Sequence, residues 1–299
     1  MIKMSNNTKM YWIQTITPLH VGAGKEVGFV DMPIMREKVT NWPLVPGSAV
    51  KGVMRDHFGE NEKYKKDINA VFGKPDDENG DSFAGALVLT DAHIVCMPLR
   101  SLYGTFAYVT CPLVLARLKR DLEASGYEGL PEVPKVPVLN EQSGSEFALC
   151  TTNSSIVSNG KIFLEDLDFV NNTADNWADK ISEIIFPDDD NWKEIFRSHF
   201  VILSDDSFTF LSETGTEVAA HITIDDETKT AKGKALWYEE ALPAEAILAG
   251  AAWCDRVFEN KNLTKEEIFR DFCTETLDLQ IGGKATVGKG RVKCSFTQG

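Results

Sequence analysis

Paired cysteines are missing from this sequence. Its six cysteines, Cys96, Cys111, Cys150, Cys254, Cys273 and Cys294, stand far apart with no CxxC pair. That spacing excludes a zinc ribbon and a disulfide framework, and leaves the thiols to be read as small buried hydrophobes. Long apolar runs are also missing: no uninterrupted stretch is long enough to cross a bilayer. The opening residues Met1 to Met10 are polar, without a signal-like apolar core. No membrane is therefore expected as a partner, and the expected location is cytoplasmic. Positive charge is scarce: 31 Lys and Arg against 45 Asp and Glu give a formal net charge of -14. Such a balance disfavours a free-standing nucleic-acid binder, whose affinity rests on cations at phosphates. Neither a Walker A loop nor a strand-to-helix GxGxxG fingerprint occurs, and no internal repeat is visible.

The charge that is present is segregated. Acidic residues cluster at Asp76-Asp77-Glu78 with Asp81, at Asp188-Asp189-Asp190, at Asp205-Asp206 and at Asp225-Asp226-Glu227. Basic residues gather near the start, at Lys25, Arg36, Lys38, Lys51 and Arg55, and near the end, at Lys284, Lys289, Arg291 and Lys293. An acidic solvated face and a basic working face would reconcile the two. A protein working inside an assembly needs less positive charge of its own.

Hydrophobic residues make up 43% of 299 residues, enough for a substantial core. Strands are expected at Tyr11–Thr17, 86–96 with an irregularity, 161–165, 199–203 and 246–253. Helices are expected from Ala49 toward His57 behind a Ser48 cap, in the later half of 108–123, over 178–186 and near 192–200. Residues 217–224 and 232–240 read as the arms of a long hairpin around an acidic turn. Thr264-Lys-Glu-Glu267 is a capping box, opening a helix expected to run through Leu279. Strands and helices mix without regular βαβ repetition, which favours an α+β fold. No linker separates two cores, so the chain reads as one domain with insertions.

Two glycine-rich stretches could carry chemistry. His20-Val-Gly-Ala-Gly-Lys25, with Asp31 beyond it, puts an imidazole, an ammonium and a carboxylate on one loop system. Glycine permits close approach of a ligand backbone. Asp31 could hold a divalent metal or orient an attacking oxygen, and His20 could exchange a proton near neutral pH. Taken alone, Asp31 before a proline is more often a turn residue, and a loop histidine more often holds its own loop. The second stretch, Gly282 to Arg291, places three cations and several glycines in ten positions, the ingredients of an anion nest. The start of the 49–57 helix, with Lys51 and Arg55 behind it, is a further phosphate candidate. Glu239 and Glu240 should point to opposite faces of a strand, so one could face a loop of the site. Trp237 or Tyr238 could stack on a base, although core packing is the commoner use. His57, His93 and His199 read as structural; His221 falls on a hairpin arm and could touch a ligand there.

These blocks, taken in order, resemble a known family. Leu19-His-Val-Gly-Ala-Gly24, Val30-Asp-Met-Pro-Ile-Met-Arg-Glu37, Trp42 to Arg55, Pro98 to Leu115, Ala235 to Pro243 and Leu279 to Gly290 are similar to the repeat-associated RNA-binding (RAMP) superfamily of CRISPR effectors. The middle blocks resemble its Cmr backbone subunits. The resemblance implies a ferredoxin-like, RRM-like core over residues 1–299, with a hairpin thumb around 213–240. It implies stacking of copies along a guide CRISPR RNA, beside other subunits of a type III-B Cmr complex. It implies cleavage of complementary target RNA with a divalent metal, magnesium being expected. By the same resemblance Asp31 is the catalytic and metal-binding aspartate, His20 its companion and Glu239 its acidic partner. Lys25, Arg36, Lys51, Arg55, Lys284, Lys289 and Arg291 are expected on the RNA backbone. The alternatives are a non-cleaving backbone subunit, a stand-alone guide-processing ribonuclease and a metabolic enzyme with phosphate loops.

Overall fold

The computed structural model describes residues 8–24, 30–75, 82–137, 145–224, 231–254, 256–257, 263–274 and 276–298. Lys25 and the acidic runs at 76–81 and 225–227 lie outside the described residues. The first strand, Thr8–Thr15, sets the architecture. Its alternate side chains go to two different cores: Tyr11 and Ile13 to one, Met10 and Trp12 to the other. A strand apolar on both faces belongs in the middle of a covered sheet. It lies between Arg291–Thr297 and Ile247–Cys254, antiparallel to both.

From there the sheet runs outward in both directions to thirteen strands. Leu277–Gln280 closes one edge beyond Arg291–Thr297. On the other side follow Ala92–Arg100, Phe106–Thr110, Phe200–Ile202, Glu146–Cys150, Leu167–Thr173, Lys161–Leu164 and Val157–Ser158. Leu44–Val45 and Leu87–Leu89 pair from the side. Pairing is antiparallel except between Leu167–Thr173 and Glu146–Cys150, and between Phe200–Ile202 and Phe106–Thr110. Seven α-helices accompany these strands among the described residues. None is long and apolar enough to cross a membrane. The mixed order matches the α+β reading.

Several sequence expectations shift at their edges. The stretch expected as one irregular strand over 86–96 is two, Leu87–Leu89 and Ala92–Arg100, both paired to Ile247–Cys254. The Thr264 capping box is present, but its helix, Lys265–Phe272, stops well short of Leu279. Beyond it, Leu277 and Leu279 are buried and Asp278 is exposed, a period of two that makes Leu277–Gln280 a strand. The helix expected behind Ser48 begins at Gly47, with no side-chain cap. Its first N–H donates to the Asp91 carboxylate instead, at 2.9 Å. A Cβ on Gly47 would lie 2.4 Å from the Leu89 carbonyl oxygen, so only glycine lets this helix start here.

Two acidic runs are helix starts. Asp189 accepts from the Trp192 N–H and caps Asp190–His199, with Asp190 in its first turn. Asp205 and Asp206 occupy the first turn of Asp205–Thr214, capped by Ser204. Carboxylates at these positions complement the helix dipole and its unpaired N–H groups. All six cysteines are free and buried, and burial pushes thiols such as Cys96 and Cys294 well up.

Candidate active site

The hairpin of Glu217–Ile224 and Ala231–Ala241 forms its own two-stranded sheet. Its register pairs Ala219 with Glu239 and His221 with Trp237. Val218, Ala220, Ile222, Leu236 and Tyr238 are exposed. At the base of the second arm three segments converge. Met32 bridges to Glu239 in parallel, with its N–H on the Tyr238 carbonyl and its carbonyl on the Glu240 N–H. Leu19 bridges to Leu242 in antiparallel fashion. The glycine-rich loop closes from the third side: Gly283 N–H donates to the His20 carbonyl, and Gly290 N–H to the Pro18 carbonyl.

Glycine is required at that closure. Gly282 has φ +78°, and a Cβ there would lie 2.3 Å from the His20 carbonyl oxygen. The loop continues through a short 3-10 turn, Ala285–Val287, between left-handed Lys284 and Gly288. This turn brings Lys284 and Lys289 to one place.

Their shared partner is Glu239. The side chain of this residue is 2% exposed, and each lysine Nζ stands 3.0 Å from one of its oxygens. Burial pushes its carboxyl up, but the hydrogen bonds and charge of Lys284 and Lys289 outweigh that and hold it below the usual carboxylate range. Glu240, on the other face of the strand as alternation predicts, is also buried. It accepts from Arg36 Nη2 at 2.6 Å, from Thr216 Oγ1 and from the Ile34 N–H. Both acids are thus interior groups, not surface ones.

Asp31 is exposed, and its Oδ2 accepts the Tyr238 backbone N–H at 2.7 Å. That bond fixes the carboxylate and leaves Oδ1 without a partner among the described residues. His20 is 7% exposed, and its Nδ1 lies 2.6 Å from the Glu240 carbonyl oxygen. It ties the first glycine loop to the hairpin base, the loop-holding role.

The sequence candidates therefore divide. Asp31, His20, Glu239, Lys284 and Lys289 meet at the hairpin base. Arg36 reaches the same base, but its guanidinium goes to Glu240 and to the Asn41 and Ser212 carbonyls. Arg291 is exposed where the last strand leaves the loop. Arg55 turns inward to the Gly73 carbonyl and Asn69, and Lys51 is half-buried beside it. Burial and Arg55 push the Lys51 ammonium down. Asp91 already holds the N–H of Gly47 at the start of that helix, so an internal carboxylate supplies an anion there. Among the described residues no ion pair joins Lys51 or Arg55 to the cluster. Lys25 lies outside the described residues.

Among the described residues no three His, Cys, Asp or Glu side chains come together as a metal cage. Lysines occupy Glu239 and Arg36 occupies Glu240, leaving Asp31 as the carboxylate with an oxygen to offer. Magnesium often takes one or two carboxylates and completes its shell with water and substrate phosphates. Asp31 offers one ligand of the kind such a shared ion takes, and the described residues add no second free carboxylate beside it.

The RAMP superfamily model matches residues 12–293. This chain belongs to the RAMP superfamily. The CRISPR system Cmr endoribonuclease Cmr4 of Pyrococcus furiosus is 34% identical over 296 residues, covering 96% of this chain and 94% of that one. The crystal structure of oligomeric Cmr4 from Pyrococcus furiosus superposes with a TM-score of 0.73 at 28% identity, over 98% of both chains. A chain in the type III-B Cmr-beta complex bound to cognate target RNA shares the fold, with a TM-score of 0.72 at 22% identity over 97% of this chain and 96% of its own. Within the superfamily, this RAMP protein groups with the Cmr4 subunits.

Proposed function

We propose that this chain is a backbone subunit of a type III-B CRISPR effector, binds guide RNA and cuts the complementary target RNA. The observation that carries the reading is Asp31, exposed and fixed by the N–H of Tyr238, the residue next to the Glu239 that gathers Lys284 and Lys289. An aimed carboxylate next to clustered cations suits a phosphodiester. The relative of matching length, named an endoribonuclease, supports it. In this reading residues 1–299 are one ferredoxin-like domain, and the hairpin is a thumb that pushes between bases with its exposed face. Its partners are guide and target RNA, other copies of itself and other Cmr subunits, in the cytoplasm.

Target specificity comes from base pairing, and the protein grips phosphates and shape. The thumb displaces a nucleotide and frees its backbone from duplex geometry. The target's own 2′-hydroxyl then attacks its phosphate. Asp31 orients that hydroxyl and receives its proton. Lys284 and Lys289 balance charge on the phosphate oxygens, with Arg291 as a further backbone contact. Glu239 positions the two lysines, and His20 holds the loop that carries Asp31. A divalent cation, magnesium in the first instance, would be held by Asp31 with RNA phosphates and would neutralise phosphate charge.

The test is cleavage of an end-labelled, guide-matched RNA by the reconstituted complex with magnesium, comparing native protein with Asp31→Ala. A regular ladder that disappears in an assembled, target-binding variant is the expected result. An unchanged ladder removes Asp31 from catalysis. No ladder from either, despite target binding, establishes the non-cleaving backbone instead.

A further inference from the structure

His221 has the attributes of a working group and no assigned task. It sits on the first hairpin arm opposite Trp237, with the two rings stacked 5.6 Å apart at 18°. Its Nε2 is buried without a hydrogen-bond partner and lies 3.8 Å from Glu239 Oε2. Its side chain is 37% exposed, and Nδ1 is not among the buried unpaired atoms. One nitrogen thus faces a carboxylate, and the exposed part of the ring lies away from that buried atom. A buried carboxylate behind an imidazole is how dyads and triads hold the tautomer and steady the charged form. A dyad contact of 3.8 Å is long, and such contacts often tighten only when substrate arrives.

His20 is badly placed for the same work. Its Nδ1 is engaged by the Glu240 carbonyl, and its ring is almost fully covered. Its Nε2 points toward Gly22, where an added Cβ would stand only 3.1 Å away. The charged groups around His221 are Glu217 on its own arm, Glu239 on the opposite arm, and Lys284 and Lys289 from the glycine loop. The lysines neutralise most of the acid, which keeps Glu239 ionised without committing both its oxygens to His221.

We propose that His221 is the general acid of the cleavage, held by Glu239 at Nε2 and delivering a proton from Nδ1 to the departing 5′ oxygen. The inference rests on the ribonuclease reading above. In the step, the bond from the 2′ oxygen to phosphorus forms and the bond from phosphorus to the 5′ oxygen breaks. The 2′-hydroxyl proton passes to Asp31, and the 5′ oxygen takes the proton from His221. The products are a 2′,3′-cyclic phosphate and a 5′-hydroxyl end. Exchange with water returns both side chains to their starting states.

The experiment uses the reconstituted complex and two targets. One is ordinary RNA; the other carries sulfur in place of the scissile 5′ oxygen, so its leaving group departs without a proton. On the ordinary target, His221→Ala and His221→Asn should lower the single-turnover rate by about 10²–10³-fold, with target binding unchanged. On the sulfur-substituted target both should cut at near-native rates. Asn keeps a planar side chain against Trp237, so agreement between the two variants separates acid loss from lost packing. Asp31→Ala should fail on both targets. Equal loss on both targets, or no loss on either, overturns the assignment of His221 while leaving Asp31-dependent cleavage standing. If native protein cuts neither target, the ribonuclease reading falls and the role of His221 falls with it.

Discussion

Glu37, partly buried with its side chain 9% exposed, and the buried Glu239 both face a histidine and cationic side chains, yet they are finished to different degrees. Glu37 accepts from His93 Nδ1 at 2.6 Å, from Thr40 Oγ1 at 2.6 Å and from Arg117 Nη1 at 2.9 and 3.1 Å. Arg117 in turn lies over the Trp42 ring, 5.2 Å from its centroid. Burial pushes the Glu37 carboxyl up, but hydrogen bonds from His93, Thr40 and Arg117 prevail and hold it at about 2. Glu239 has two lysines on flexible stems and a histidine that stops short of bonding. A fully bonded acid locks structure, whereas one that leaves a neighbour's buried nitrogen unpaired keeps interaction free for something that arrives later.

The largest expected separation comes from neutralising each acid in turn. Glu239→Gln should cut target RNA about 10²-fold more slowly in the assembled complex, because the lysines lose their anchor and His221 its partner. Its cost in stability should be under about 1 kcal/mol, since both ammonium groups can swing into water. Glu37→Gln should do the reverse. Denaturant melts should show a loss of about 2–3 kcal/mol, below the cost of breaking a fully buried pair because His93 and Arg117 reach solvent. Cleavage per assembled complex should stay near native. If both variants lose stability and neither loses rate, the contrast between the two acids fails.

The Glu37 half also has a pH signature. Its carboxyl is depressed in the folded state, from an ordinary 4.5 to about 2. The stability it contributes is therefore complete above about pH 4.5 and is lost as pH falls toward about 2. Acid titration of stability should be shallower in Glu37→Gln than in native protein across that window.

A smaller effect tests the loop that delivers the lysines. Gly282→Ala places a Cβ against the His20 carbonyl at a positive φ, so a loss of about 1–2 kcal/mol is expected, with slower cleavage. The smallest is electrostatic. Lys284→Ala and Lys289→Ala should each weaken RNA binding modestly and reduce the salt slope of the complex by about 1. An unchanged slope would place both lysines away from phosphate.

Much of the fold was legible in the sequence because local rules and tertiary packing agree. The aromatic and β-branched first strand, the Thr264 capping box and the two hairpin arms all appear about where their residues put them, the first strand starting and ending earlier than expected, at Thr8–Thr15. The misses came where a local rule met a competitor. Ser48 looked like a cap, but the helix begins one residue before it, at Gly47, whose N–H the distant Asp91 accepts. Residues 277–280 looked like the end of a helix, but pairing with the last strand made them extended. The strands Glu146–Cys150 and Leu167–Thr173 and the helix Asp205–Thr214 went unread; the Ser204-Asp-Asp-Ser207 start was the signal for the last. For the site, residue types on two glycine loops marked Asp31, His20 and the lysines. Nothing local distinguished them from Arg55, whose guanidinium the fold turns inward.

By itself the sequence determined the family, the mixed fold class and the two glycine loops, because residue order and spacing are local properties. The tertiary structure alone decided that Glu239 gathers Lys284 and Lys289, that Glu240 takes Arg36, and that His221 is left facing a carboxylate it does not bond. Those contacts join segments up to 204 residues apart. Their partners are chosen by strand register and loop closure, which no local pattern encodes.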